Sequence, residues 1–135
     1  MNDRFLVVRH VKEFIYSIDE MVVNFPRKDF VIKDRIINDS MDILELIYLA
    51  NSSDLNKELR YRILSKLSML DFYLERSYKN NIISEKVLKK YSNKIAYITK
   101  LIYEELVLSI IVLTSLYSIS SKSTSILFNI LWSIL

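Results

Sequence analysis

Two rows of basic side chains are the part of this sequence with the clearest chemical use. Lys86, Lys90, Lys94, Tyr97 and Lys100 follow one another in steps of three and four, a spacing that lines them along one side of a helix over about 20 Å. Arg62, Lys66, Met69, Tyr73 and Arg76 repeat the pattern upstream. Cations on a rigid rod can neutralise successive phosphates, and an interleaved tyrosine offers a face on which an unpaired base can stack. Such a row suits RNA better than a fixed duplex sequence, because it lacks a recognition-helix arrangement for reading base edges. The plain alternative is that a basic stripe is only the wet side of a bundle helix.

Other candidate chemistry is thinner. His10 is the sole histidine and Glu13 lies one helical turn on, but acid–base catalysis would also need an oriented partner and a pocket. An ordinary surface or half-buried histidine is the simpler reading. Asp39, Asp42 and Glu45 cluster at helical spacing, where carboxylates can bind a divalent cation or share a proton. Di-iron bundles draw a Glu-x-x-His motif from each of two helices, and one histidine cannot supply both. A solvated acidic face, partly paired with Arg35, is expected instead. No P-loop, nucleophile elbow or zinc-ligand spacing is present. The sequence therefore predicts no metal, no cofactor and no catalytic activity.

Composition narrows the scaffold that carries these residues. The 135 residues are 51% hydrophobic and 26% charged, with no glycine, one proline and no cysteine. Without glycine there are few inexpensive positions for positive φ, which disfavours hairpin-rich sheets and excludes Gly-rich nucleotide loops. Without cysteine there are no disulfides, thiolate metal sites or thiol nucleophiles. Nineteen basic against sixteen acidic residues give +3, which permits an anionic partner without demanding one. The start, Met1-Asn2-Asp3-Arg4-Phe5, has no apolar h-region, so no signal peptide is read and a cytoplasmic location is expected.

Hydrophobic residues recur at three and four throughout, which predicts an all-α protein. The first helix is expected over 4–23, burying Phe5, Val8, Val11, Ile15, Ile18 and Val22; Pro26 ends it. Asp29 is expected to cap a second helix over 30–50, with Ile36, Ser40, Ile43, Ile47 and Ala50 inward and Ile37 and Leu44 beside them. The third, over 55–78, carries Leu55, Leu59, Ile63, Leu67, Leu70 and Leu74. After a turn at 79–81, Ser84 is expected to cap the fourth, with Leu88, Tyr91, Ile95, Ile98 and Ile102 buried. Helices of similar length joined by short loops predict an antiparallel, up-down-up-down four-helix bundle over 1–105.

Residues 106–135 form an atypical hydrophobic, Ser-rich C-terminal extension in which Lys122 is the only charge. It reads as a continuation of helix four, as a tail anchor, or as an atypical terminus outside the packed structure. The stretch 106–119 falls short of the ~20 apolar residues a bilayer span requires, so a membrane is not an expected partner.

The run Phe25-Pro26-Arg27-Lys28-Asp29-Phe30, then Asp34-Arg35-Ile36, Asp42-Ile43-Leu44-Glu45 and Ala50-Asn51 resembles the bacterial four-helix-bundle family that contains the accessory variability determinant (Avd) of diversity-generating retroelements. The similarity continues through Lys66-Leu67-Ser68-Met69-Leu70-Asp71-Phe72 and Ile83-Ser84 to Lys100. Members usually carry Gly-Trp after the position of Tyr103, where this chain has Glu104-Glu105. The resemblance implies a non-catalytic partner of a reverse transcriptase and its template RNA, assembled as a homo-oligomer, a ring of five in Avd-type members. The RNA contacts expected from helical geometry are Arg62, Lys66, Arg76, Lys86, Lys90, Lys94 and Lys100. The alternatives are a homo-oligomeric scaffold that does not bind RNA and a tail-anchored membrane protein.

Overall fold

A computed structural model describes residues 6–52, 57–121 and 131–134. Four helices follow in order: α1 Leu6–Val22, α2 Phe30–Ser52, α3 Lys57–Lys79 and α4 Glu85–Ser121. No strand occurs among the described residues. The protein is an all-α four-helix bundle.

The buried residues are those that a 3.6-residue period brings to one side of each helix. On α1 these are Val8, Val11, Ile15, Ile18 and Val22, widened by Val7 and Phe14. Leu59, Ile63, Leu67, Leu70 and Leu74 form an unbroken buried line on α3. On α2, Ile36, Ser40, Ile43, Ile47 and Ala50 are buried together with Ile32 and Leu46, while Ile37 and Leu44 are half-buried. α4 buries Tyr91, Ile95, Ile98, Leu101 and Ile102, and Leu88 is half-buried. The expected core positions Phe5 and Leu55 lie outside the described residues. Each fully buried Ile or Leu contributes about 1.5–3 kcal/mol relative to an exposed one.

Polar ties fix which helices are neighbours. Lys66 of α3 pairs with Asp39 and Asp42 of α2, Ser92 of α4 donates to Asp71 of α3 at 3.0 Å, and Tyr91 of α4 meets Ser17 of α1. Lys12 of α1 lies 6.0 Å from the Tyr48 ring centre on α2. Each helix thus touches the one before and the one after it, with α4 returning to α1.

The turns are made without glycine. Phe25, buried, donates its N–H to the Val22 carbonyl, and Pro26 at φ −59° opens a 3-10 turn, Arg27–Asp29, that leads directly into α2. Asp29 does not act as the expected side-chain cap: it sits inside this turn, and its Oδ2 is buried with no hydrogen-bond partner among the described residues. The tightened turn instead supplies the entry to α2, with the Asp29 N–H bonded to the Pro26 carbonyl.

The turn after α3 ends the helix with a left-handed residue, Asn81, at φ 60°. The Ile82 N–H returns to the Ser77 carbonyl and the Asn81 N–H to the Tyr78 carbonyl, the pair of bonds that defines a Schellman stop. Asparagine takes the place glycine usually fills, because its short side chain tolerates this region. Ser84 caps α4: its Oγ accepts the Val87 N–H at 3.2 Å.

The chain divides into two compact units, Met1–Leu101 and Ile102–Leu135. The first holds α1 to α3 and the proximal part of α4. In the second, α4 continues as helix to Ser121 and a helical turn occupies 131–134, where Leu131 and Trp132 are exposed. No helix among the described residues is long and apolar enough to cross a membrane.

Candidate nucleic-acid interface

The two basic rows, alike in sequence, meet different surroundings. On α3, Arg62 and Arg76 are exposed, but Lys66 is held between α2 carboxylates. Its Nζ donates to Asp39 Oδ1 and to Asp42 Oδ2, both at 3.1 Å. The hydrogen bonds to Asp42 and Asp39 raise the lysine pKa above its ordinary 10.5. The acidic face of α2 is therefore not simply solvated: Asp39 is buried, and both carboxylates face α3, with Lys66 in the place expected of Arg35. One positive charge against two negative ones leaves the middle of the α3 row without a surplus of cation for phosphate.

The α4 row keeps its charge outward. Lys86, Lys90 and Lys100 are exposed and Lys94 is half-buried. Lys90 and Lys94 stand 5.5 and 5.2 Å from the ring centre of Tyr91, so the aromatic face of a buried residue steadies two ammonium groups of the row. Burial and the neighbouring Lys90 cation lower the Lys94 pKa from 10.5. Tyr97, the aromatic residue within the row, retains 41% of its surface exposed. Tyr73 of the α3 row is half-buried, and exposed Phe72 sits beside it with ring centres 6.1 Å apart.

Beneath the α4 row runs a polar chain that links it to α1. Lys94 Nζ donates to Ser17 Oγ at 3.1 Å, and Ser17 Oγ lies 2.7 Å from Tyr91 Oη. The Tyr91 hydroxyl in turn donates to the Ser17 carbonyl at 2.8 Å. With the Ser17 proton on Tyr91 Oη, both hydroxyl donors of the chain have an acceptor, as burial requires. Ser17 was not a sequence candidate. A lone hydroxyl beside Phe14 and Ile18 was the available signal.

Arg60 is the other polar residue that periodicity does not reveal. It is buried on α3, its guanidinium carbon 5.0 Å from the Tyr61 ring centre, and its Nε has no hydrogen-bond partner among the described residues. His10 is half-buried on α1, 3.8 Å from Glu13, with its ring edge-on to Tyr97 at 4.8 Å. Among the described residues no group of three acidic or histidine side chains is placed to hold a metal ion.

No protein-family model matches this chain, and no curated protein or solved structure is significantly similar to it.

Proposed function

We propose that this chain is a non-catalytic accessory subunit that holds RNA on the basic face of α4 and docks a reverse transcriptase, as the accessory protein of a diversity-generating retroelement. The observation that carries the RNA part is the α4 row itself. Lys86 and Lys90 are exposed, Lys90 beside the Tyr91 ring, Lys94 follows one turn on, and Tyr97 keeps a ring surface open between Lys94 and Lys100. That sequence of cation, cation and aromatic is what single-stranded RNA requires of a protein groove. Arg62 and Arg76 add charge from α3, while Lys66 serves the α2–α3 contact. The reverse-transcriptase part, and a ring of five copies, rest on the resemblance through Phe25–Phe30 and Lys66–Phe72.

Phe30 and Met41, 61% and 53% exposed on α2, favour a second element of the same reading, a homo-oligomer that covers them. Taken without the RNA contact, this gives the alternative of a scaffold.

Titration of a fluorescent single-stranded RNA at several salt concentrations tests the proposal. Affinity should fall steeply with salt. K86E/K90E should weaken binding and make the salt slope shallower by about 1.4, because each phosphate neutralised on a single strand accounts for about 0.7 of it. Light scattering on the same preparation reports the oligomer. An oligomer with no affinity for RNA in dilute buffer would leave only the scaffold.

A further inference from the structure

A groove of about 290 Å³ opens between α1 and α4, directly beside the basic row. Phe14 and Ile98 form an apolar floor, both almost fully buried. Around it stand the polar groups of His10, Glu13, Asn93, Lys94 and Tyr97. The volume lies at the lower end of the range for small-ligand sites, about 300–1,000 Å³, which suits one planar ring system rather than a large ligand.

We infer that this groove is a base pocket that receives a single unpaired guanine of the RNA held by the α4 row. The inference rests on the RNA-binding reading above and assigns that interface a base preference. One feature receives a base of any kind and two point to guanine. Tyr97 presents open ring surface at the mouth, and His10, edge-on to it at 4.8 Å, fixes the orientation of the ring; stacking on such a face accepts any base. Glu13 supplies two adjacent carboxylate oxygens, which only accept hydrogen bonds when ionised. Lys94 supplies an ammonium with three N–H donors, of which Ser17 takes one.

The Watson–Crick edge of guanine carries one acceptor, O6, beside two neighbouring donors, N1–H and N2–H. That order matches a groove lined by both an ammonium, from Lys94, and a carboxylate, from Glu13. Adenine and cytosine each offer a carboxylate a single amino group beside a ring acceptor, and uracil offers one N–H between two carbonyls. Each of these sets at least one acceptor against Glu13. The site thus discriminates by leaving a carboxylate oxygen unpaired or repelled with the wrong base. Phosphates on either side of the guanine fall to Lys90 and Lys94.

The test compares RNA oligonucleotides of equal length and charge, alternating U-G, U-A and U-C, with all-U, against the full chain by fluorescence anisotropy. The U-G strand should bind about tenfold more tightly than the others, as a bidentate base contact does. Glu13→Gln, on an exposed side chain, should abolish that preference by bringing the U-G affinity down to that of the other strands. Equal binding of all four strands, or a preference that survives Glu13→Gln, would overturn the guanine pocket and leave RNA binding standing. Failure of every strand to bind would overturn the RNA reading and this inference with it.

Discussion

Tyr91 Oη and Ser17 Oγ stand 2.7 Å apart across the α1–α4 contact, although 74 residues separate them in sequence. The pair is anchored at one end by the Ser17 carbonyl and at the other by Lys94. It therefore couples the packing of the bundle to the position of a cation in the proposed RNA row. Because Tyr91 is buried and its ring also meets Phe14 at 6.0 Å, edge to face, the hydroxyl cannot turn to solvent without breaking an apolar contact as well.

Removing that hydroxyl should be costly out of proportion to its size. Tyr91→Phe leaves the Ser17 carbonyl without its side-chain donor and the Ser17 hydroxyl without its acceptor, with a loss of about 1–2 kcal/mol in urea unfolding. Ser17→Ala should cost less, because the Tyr91 hydroxyl keeps its bond to the carbonyl. The double variant should fall short of the sum of the two, since both remove the same bond.

Lys66 gives the opposite kind of prediction, one of stability without function. Lys66→Met leaves buried Asp39 without its cation and should destabilise the bundle by about 1–3 kcal/mol, with no loss of RNA affinity. Asp39→Asn introduced into the same chain should recover part of that loss. The pKa of Lys66 is raised in the fold, so its contribution is complete below 10.5 and disappears as pH rises through the higher folded value. Alkaline unfolding of the native protein should therefore steepen above pH 10.5, and Lys66→Met should lack that component.

The contrast between Lys66 and Lys90 defines what could be read from sequence. The core lines of α1 and α3 follow from period alone, because a face that buries Leu59, Ile63, Leu67, Leu70 and Leu74 announces itself in the spacing of one segment. The fate of a lysine does not. Lys66 and Lys90 occupy equivalent places in their rows, yet one is matched by Asp39 and Asp42 from another helix and the other is exposed beside the Tyr91 ring. That difference depends on the rotation of α2 about its axis, which its own apolar stripe leaves loose because Ile37 and Leu44 flank it. Buried Arg60 and the Ser17–Tyr91 bond were illegible because they too depend on how a helix is turned toward its neighbours, which a single segment's period does not give. Helix ends were legible where one residue type performs the cap, as at Ser84, and not where backbone geometry does, as in the 3-10 turn before α2.

Lys94 should lose its proton at a lower pH than Lys66. Burial and Lys90 lower its pKa from 10.5, while that of Lys66 is raised, so the neutral amine becomes available at Lys94 at the lower pH. Acetylation followed by peptide mass spectrometry across pH 8–10.5 should show the labelling of Lys94 rising at lower pH than that of Lys66. A Lys90→Gln change removes one of the two causes and should move the Lys94 profile back toward higher pH. The sign for stability is the reverse of that for Lys66: the unfolded chain binds more protons at this site, so this contribution improves as pH climbs toward 10.5.

The stop after α3 can be tested as a consequence of having no glycine. Asn81 holds φ at 60°, where a β-carbon is crowded by the neighbouring carbonyl and only glycine is without penalty. Asn81→Gly should therefore be neutral or stabilising by up to about 1 kcal/mol, whereas Asn81→Ala should destabilise by about 1 kcal/mol. Ser84→Ala, which removes the bond from the Val87 N–H, should cost a further ~1 kcal/mol. Because residues 81 and 84 serve opposite ends of the same α3–α4 turn, the combined Asn81→Ala/Ser84→Ala loss reports whether the turn acts as one unit. Simple additivity in thermal or urea unfolding would show two independent caps, and a smaller combined loss would show that releasing one end already frees the other.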